Sequence, residues 1–429
     1  MEMAKKTCYV SFAEGLAEGR CRLAGKYFAN PIKTAIFAAL FMCNQDVMKL
    51  VYCVPALYNP GGMERVLAEK VNYLVNTGKY DITIVTTDQK GRPVYFPLDE
   101  RVKLVDFGLD FEGHFAAGLV KKTWLHCKKL SLYKKKLQEF LVACKADICI
   151  SLCGKEIDFL TSLKDGSRKM AELHFSMNNR KLFILARHQG FLWRCLGDFR
   201  TWQLKRATRG LSRLVVLTNQ DAADWRKTHE NVVVITNPVP FDCDEEPDLN
   251  AKRVIAVGKL DEQKGFDYLL QAWKLVHAKH TGWRLDIFGQ GPWKEKLDAF
   301  ISENALGNSA FLCGTTMDVK SEYLKSTFYV MSSRYEGLPM VLIEAMVCGL
   351  PLVSFDCECG PREVIKEGEN GFLVPMGDVE QLADAMCRLI EDKELRERMS
   401  AKGKECASRY SLESIMPQWV GLFDELVEK

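Results

Sequence analysis

The sequence predicts an α/β protein built from two doubly wound, Rossmann-like domains that face each other across a cleft. From Met48 onward, short apolar runs alternate with amphipathic stretches, which is typical of parallel sheets covered by helices on both faces. The alternation stops at residues 236–240, Thr-Asn-Pro-Val-Pro, and restarts at Arg253. Residues 1–240 carry 37 Lys and Arg against 23 Asp and Glu, a net charge of +14; residues 241–429 carry 22 against 33, a net charge of −11. Two domains with different partners follow from these observations.

Length and composition exclude several classes of protein. The 429 residues allow two to three domains, and 47% hydrophobic with 27% charged residues is ordinary for a soluble protein. A disordered, collagen-like or coiled-coil chain is therefore excluded. The longest strongly apolar run, residues 35–43, is too short to span a bilayer. The sixteen cysteines show no paired C-x-x-C motif, which predicts reduced thiols in the cytoplasm rather than a zinc site or disulfides.

The predicted strands and helices divide the chain into four segments. Residues 1–47 lack the alternation, and we expect them to be an extension outside the fold. The first domain, 48–236, has predicted strands at 50–54, 82–86, 102–105, 148–152, 169–173, 214–218 and 232–235. The second, 237–410, has predicted strands at 253–257, 284–288, 310–312, 327–331 and 352–355, and helices at 265–280, 293–304, 319–325, 340–348 and 379–391. Residues 411–429 form a C-terminal helix that we expect to pack back toward the first domain.

Segments directly after predicted strands are candidate ligand sites, since doubly wound sheets bind ligands at the carboxyl ends of their strands. After 253–257, Gly258 is followed by a turn carrying Lys259 and Lys264, which suits a diphosphate group. A solvated turn is the alternative. After 284–288, Gly289 and Gly291 permit either a close approach to a ligand or merely a tight turn.

The strongest signal is residues 332–346, which follow the strand at 327–331. Pro339 suits a first helical position, so the start of that helix presents free N–H groups to a phosphate. Glu344 lies one to two turns into the helix among apolar neighbours, and a buried carboxylate needs a partner. Ribose hydroxyls could be the hydrogen-bond partners of Glu344, and sugar hydroxyls could be those of Glu336. The alternative is a structural ion pair for Glu344 and a solvated Glu336.

Glu336 and Glu344, within Tyr-Glu-Gly-Leu-Pro-Met-Val-Leu-Ile-Glu-Ala, resemble the signature of retaining family 4 glycosyltransferases (glycosyl transferases group 1), which have the GT-B fold. The resemblance extends from Met48 to about Lys429. Residues 360–363, Gly-Pro-Arg-Glu, replace the commoner double-glycine turn, as in a subset associated with bacterial surface polysaccharides. The other motifs follow in that family's order: Asn237-Pro238-Val239, Gly258-Lys259-Leu260, Lys264-Gly265, Gly289-Gln290-Gly291-Pro292 and Asn370-Gly371-Phe372-Leu373-Val374.

This resemblance implies transfer of a hexose, with retention, from a nucleotide-diphosphate sugar, foremost a UDP-sugar, to a glycan or lipid-linked acceptor. It implies no cofactor and no metal, since the lysines and the helix N-terminus would stabilise the leaving diphosphate. Lys259 stands where arginine is commoner. The implied catalytic residues are His174, Lys259, Lys264 and Glu336. The implied donor-binding residues are Gly61, Gly62, Gly258, Gly289, Gly291, Gly337, Leu338, Met340, Val341 and Glu344. For His174, a satisfied interior histidine is the alternative.

Two other functions fit the same motifs: a nucleotide-sugar epimerase of this fold, and a non-catalytic protein that binds sugar nucleotides. A basic, aromatic segment runs from Lys121 to Phe140, with Trp124 and Tyr133 among its lysines. It predicts contact with an anionic membrane through Lys121–Lys136, on the inner face of the cytoplasmic membrane; a solvated cationic face is the alternative. No nucleic-acid motif accompanies the charge, so we expect no nucleic-acid partner.

Overall fold

A computed structural model describes residues 47–111, 119–187 and 190–428, with the side chains of 119–122 and 186–187 left out. Apart from Val47, the predicted extension 1–47 lies outside the described residues. The described chain forms two parallel sheets, one on each side of the predicted boundary near residue 237.

The first sheet has seven strands in the order β3-β2-β1-β4-β5-β6-β7. β1 pairs with β4 through Leu50 opposite Ile148, and every residue of β4 is buried, as expected for a central strand covered on both faces. The strands are β1 Met48–Val54, β2 Tyr80–Thr86, β3 Lys103–Asp106, β4 Ile148–Ser151, β5 Arg168–Leu173, β6 Arg213–Val216 and β7 Val232–Val234.

Helices connect these strands. The apolar stripe of α1, formed by Val66, Leu67, Val71 and Leu74, faces the sheet. The helices are α1 Gly62–Asn76, α2 Leu119–Cys144, α3 Asn179–Arg187, α4 Phe191–Thr208 and α5 Asn219–Arg226, with short 3₁₀ turns at Lys155–Asp158 and Leu160–Ser162.

The second sheet has six strands in the order β10-β9-β8-β11-β12-β13. Both sheets therefore reverse their strand order beside their first strand, between β1 and β4 and between β8 and β11. Such reversal points are where doubly wound sheets bind ligands. The strands are β8 Arg253–Val257, β9 Arg284–Phe288, β10 Ala310–Gly314, β11 Phe328–Met331, β12 Leu352–Asp356 and β13 Gly371–Pro375.

Several helices of the second part begin at a capping aspartate. Asp318, Asp378 and Asp392 each accept a hydrogen bond from a backbone N–H of the first helical turn. The helices are α6 Phe266–Lys279, α7 Lys294–Glu303, α8 Val319–Leu324, α9 Met340–Val347, α10 Pro361–Val364, α11 Val379–Glu391, α12 Lys393–Ala407 and α13 Leu412–Glu428, with a 3₁₀ turn at Ser408–Tyr410.

The predicted strands and helices match most of these elements to within a few residues. Pro339 is the residue before α9 and has extended dihedrals, so the helix begins at Met340. β13 was not predicted, because its five residues begin with a glycine and end with a proline. α12 was not predicted either, because its buried face includes Arg396, Ser400 and Gly403 beside only two large apolar residues.

The C-terminal helix α13 packs on the first sheet rather than on the second. The Phe423 ring lies 5.9 Å from that of Tyr80, and Arg213 pairs with Glu425 at 2.6 Å. The Arg168 Nε donates to the Leu426 carbonyl at 3.1 Å. None of the described helices is long and apolar enough to cross a membrane.

Candidate functional site

The two sheets approach each other where the loop after β5 meets the loop after β11. A Cβ on Gly337 would lie 2.6 Å from the carbonyl oxygen of His174, so only glycine allows this contact. The Asn178 amide donates to a Glu358 carboxylate oxygen at 2.7 Å. The structure therefore brings His174 into the same crevice as the predicted donor motif.

Lys264 and Glu336 form an ion pair in this crevice, with Nζ 2.7 Å from Oε1. The two loops are hydrogen-bonded to each other: the Arg334 N–H donates to the Gln263 carbonyl, and the Ser332 hydroxyl to the Lys264 carbonyl. Burial lowers the pKa of Lys264, but the Glu336 charge outweighs this, and the pKa lies above its ordinary value. Lys264 is thus a fixed cation, and 20% of its side chain remains exposed to a ligand.

Lys259 behaves differently from Lys264. Its side chain is 68% exposed, and its Nζ lies 3.6 Å from an Asp261 carboxylate oxygen. The structure therefore does not place Lys259 against Glu336. An exposed ammonium on a flexible stem can still reach an anion in the crevice.

Glu344 is buried on α9 and has two partners that the sequence analysis missed. Arg65 on α1 places Nη1 3.4 Å from Oε1, and the Tyr323 hydroxyl donates to Oε2 at 3.2 Å. Burial raises the pKa of Glu344, and the Arg65 charge and the Tyr323 hydroxyl partly offset this. Arg65 stands in the first turn of α1, where the helix dipole disfavours a cation. That unfavourable position is a sequence signal that could have identified it.

A cavity of about 210 Å³ adjoins the Arg65–Glu344 contact. It combines the loop before α1 with the start of α9. A Cβ on Gly62 would meet nothing within 4 Å, so this glycine borders open space. Leu338 is buried in the core beside it. The lining includes the predicted donor residues Gly61, Gly62, Met340, Val341 and Glu344.

The glycine pair after β9 contacts backbone. A Cβ on Gly289 would lie 1.8 Å from the Gly258 carbonyl oxygen, and one on Gly291 would lie 2.4 Å from the Leu260 carbonyl oxygen. Both glycines thus permit two loops to pack, and the Leu260 N–H donates to the Gln290 carbonyl. The two glycines therefore help to fix the loop that carries Lys259 and Lys264.

His174 stands at the end of a buried charge network. Its Nε2 lies 3.5 Å from a Glu172 carboxylate oxygen, and Glu172 forms an ion pair with Lys70 on α1. Burial raises the pKa of Glu172, but Lys70 and His174 together hold it below its ordinary value. The Lys70 Nζ also lies 3.9 Å from the centre of the Trp419 ring on α13. Lys70 interrupts the apolar stripe of α1, a signal that the sequence analysis did not use.

A cavity of about 1110 Å³ lies wholly in the first part of the protein. It begins at the carboxyl ends of β1 and β4 and extends between α2, α3 and α4. Burial, and to a lesser extent the charge of Lys155, lowers the pKa of His126. The lining of this cavity includes basic and acidic residues. Five are basic, His126, Lys129, Lys155, Arg180 and Arg200, and two are acidic, Asp88 and Asp158. The sequence analysis did not identify this site.

The structure corrects one residue of the predicted membrane segment, Tyr133. Tyr133 is wholly buried, and its hydroxyl donates to Glu156 at 3.2 Å, so it is a core residue and not an interfacial aromatic. Lys129 and Lys136 donate to the backbone carbonyls of Asp110 and Phe107. Trp124 is exposed, with Lys128 beside its ring. The side chains of Lys121 and Lys122 lie outside those described.

Metal ligation has one candidate motif in the sequence, the Asp-x-Asp triplet at Asp242 and Asp244. Both carboxylates are exposed in the segment that joins the two sheets. Within residues 47–111, 119–187 and 190–428, no three His, Cys, Asp or Glu side chains cluster closely enough to hold a metal ion.

Comparison with known proteins identifies the second part of the chain. Residues 243–406 match the family of glycosyl transferases group 1. A glycosyltransferase of Haemophilus influenzae is 28% identical over 377 residues, covering 87% of this chain and 99% of that protein. The amylovoran biosynthesis glycosyltransferase AmsD of Erwinia amylovora is 29% identical over 389 residues, covering 86% and 98%. The structure of S. aureus TarM in complex with fondaparinux, α-GlcNAc-glycerol and UDP superposes with a TM-score of 0.68 at 17% identity, covering 88% of this chain and all of that one. This likeness confirms the GT-B fold.

Proposed function

We propose that this chain, a glycosyltransferase whose residues 243–406 form a glycosyl transferases group 1 domain, moves a hexose from a UDP-sugar to a glycan or lipid-linked acceptor in surface polysaccharide synthesis. The observation that carries the proposal is the Lys264–Glu336 pair in the crevice between the two sheets. A permanent cation beside a carboxylate in this crevice supports the binding of a sugar diphosphate there.

The donor would bind along the second sheet. Lys264 faces the diphosphate, which gains negative charge as the sugar leaves, and a fixed cation stabilises the transition state more than the ground state. Glu336 accepts hydrogen bonds from sugar hydroxyls. Glu344 accepts from the ribose hydroxyls at the cavity of about 210 Å³. Arg65 then remains beside the ligand as a second cation from the first domain.

The acceptor would bind in the cavity of about 1110 Å³. Its two lysines and two arginines suit an acceptor that carries phosphate, because guanidinium and ammonium groups pair with phosphate oxygens. A relative, the poly(ribitol-phosphate) α-N-acetylglucosaminyltransferase of Staphylococcus aureus, is named for such an acceptor; it is 28% identical over 217 residues, half of this chain.

The reaction would retain the configuration of the sugar, by a front-face displacement in which the leaving phosphate takes the acceptor proton. His174 would contact the transferred sugar, oriented by Glu172 at 3.5 Å. No metal is needed in this scheme, since Lys264, Lys259, Arg65 and the start of α9 supply the positive potential.

The test is incubation of the purified chain with a panel of nucleotide sugars. Slow hydrolysis of one donor, lost in Lys264→Ala, supports the transferase. Interconversion of two nucleotide sugars without hydrolysis would identify an epimerase. Binding without turnover, read by thermal shift, would identify a non-catalytic sugar-nucleotide protein. The anomer formed, read by NMR once an acceptor is found, tests retention.

A further inference from the structure

The buried face of helix α4 consists mostly of small residues, and several of its large apolar residues are exposed. Its buried positions are Gly197, Thr201, Leu204 and Thr208. Its exposed positions include Leu192, Phe199 and Trp202, whose exposed fractions are 80%, 54% and 52%. A helix on the surface of a soluble protein normally shows the opposite arrangement.

The exposed apolar residues form one continuous stripe. Leu192, Leu196, Phe199 and Trp202 recur at intervals of three and four, so they share one side of the helix, opposite the stripe that contacts the protein. The Phe199 and Trp202 rings stack on each other at 5.7 Å. Phe191, 78% exposed, extends the stripe to the helix start. A contiguous exposed patch of this kind marks an interaction surface.

Positive charge surrounds this stripe. Residues 179–209 carry eight Lys and Arg against a single acidic residue, Asp198, a net charge of +7. The Arg206 guanidinium lies 5.6 Å from the Trp202 ring. Asp198 itself pairs with Lys181 at 2.6 Å, which leaves the rest of the basic set without an acidic counterpart in this stretch. An apolar stripe bordered by basic residues is complementary to an anionic lipid surface, with rings at the headgroup boundary and cations on phosphates.

We propose that the outer face of α4 docks on an anionic bilayer, with Phe191, Leu192, Phe199 and Trp202 entering the interface. The membrane surface is thus α4, not the Lys121–Lys136 segment of α2. This inference rests on the proposed function, because docking would bring the protein to a lipid-linked acceptor. Leu196, Arg200 and Gln203 on the same helix line the cavity of about 1110 Å³, so docking sets its basic lining beside the lipid phosphates.

The test is co-sedimentation of the full chain with vesicles of phosphatidylglycerol and phosphatidylcholine, or of phosphatidylcholine alone. Binding to the anionic vesicles is expected, and it should weaken as salt rises. The variant Leu192→Ser/Phe199→Ser/Trp202→Ser should lower the partition coefficient on the order of 100-fold or more, because each side chain loses its apolar burial. The matched control Trp124→Ser removes an exposed tryptophan from α2 and should bind as the wild type does.

Three results would overturn the proposal. The wild type could ignore anionic vesicles at low salt. Trp124→Ser could lose binding while the α4 variant keeps it. Light scattering could show a dimer that the α4 variant abolishes, which would make a second copy of this chain the occupant. If the triple variant fails to fold, Arg194→Glu/Arg206→Glu replaces it, and loss of binding to anionic vesicles remains the expected result.

Donor hydrolysis in solution separates this proposal from the proposed function. The triple variant should hydrolyse the donor at the wild-type rate, because its three residues line neither cavity. If the wild type binds vesicles but turns over no nucleotide sugar, the proposed function fails and the docking surface stands. If it turns over donor but ignores vesicles, the docking surface fails alone.

Discussion

Among the described residues, a lysine–glutamate pair in the first half and one in the second half lie beside strand ends, and the two pairs differ in exposure. In the first half, Lys70 and Glu172 have side chains only 2% exposed, enclosed by Tyr52 and Trp419. In the second half, Lys264 and Glu336 are 20% and 8% exposed and border the crevice. The same two residue types thus form a sealed pair and an open pair.

The difference in exposure indicates that the two lysine–glutamate pairs have different roles. The sealed pair cannot receive a ligand, and Glu172 acts instead on His174, 3.5 Å away. The open pair leaves Lys264 accessible, and its bond to Glu336 uses one of three ammonium donors. We therefore expect the sealed pair to govern stability and orientation, and the open pair to govern turnover.

Breaking the sealed pair should have the largest effect. Lys70→Met leaves Glu172 buried without its cation, and such a loss typically costs about 3–5 kcal/mol of unfolding free energy. Chemical denaturation measures it. The matched control is Lys264→Met in the open pair, whose two side chains are 20% and 8% exposed, so the loss should be smaller. Equal losses in the two variants would contradict the comparison.

A double variant sharpens this prediction. Lys70→Met/Glu172→Gln removes both charges, and most of the stability should return because no unpaired ion remains. Donor hydrolysis should stay below the wild-type rate, since His174 has lost its orienting carboxylate. Full recovery of both stability and turnover would refute the positioning role of Glu172.

Breaking the open pair should reduce catalysis rather than stability. Lys264→Ala should lower the rate of donor hydrolysis by about 10²–10³-fold, the usual loss when one preorganised stabilising group is removed. Steady-state assays measure it, and Lys259→Arg should remain near wild type, as the resemblance implies. Wild-type turnover in Lys264→Ala would mean that the diphosphate lies elsewhere.

A variant of Glu344 tests whether this buried carboxylate, like the open pair, contacts the donor. Glu344→Ala should weaken UDP binding by about ten- to hundredfold, since a charged hydrogen-bond partner of the ribose is lost. Calorimetry measures the affinity, and exposed Glu380→Ala serves as the control. Unchanged affinity in a folded variant would assign Glu344 to a structural contact with Arg65 and Tyr323.

Chelation should have the smallest effect. Lys264 supplies charge in the open pair, so donor hydrolysis in EDTA should equal the untreated rate. Loss of turnover that Mg²⁺ or Mn²⁺ restores would show that a metal shares the work of Lys264.

Much of the fold was predictable because local pattern dictates it. Buried strands are short apolar runs, and β8 and β9 agree with their predicted bounds residue for residue. The elements that were missed have weak patterns: β13 begins with Gly371 and ends with Pro375, and α12 buries Arg396 and Ser400. Tyr133 shows the converse error, since a tyrosine among lysines reads as a surface residue, but it lies on the face of α2 that meets Glu156.

The order of residues is enough to predict the two sheets, the loops that follow their strands and the presence of Glu336 and Glu344 in one motif. These features depend on neighbours close in the chain, whose spacing is visible in the order of residues. Three features depend on the three-dimensional fold: the buried Lys70–Glu172 pair, the contact of Arg65 with Glu344, and the outward orientation of the aromatic stripe of α4. Those outcomes join residues far apart in sequence, and the packing of whole elements, not local propensity, sets which side chains meet.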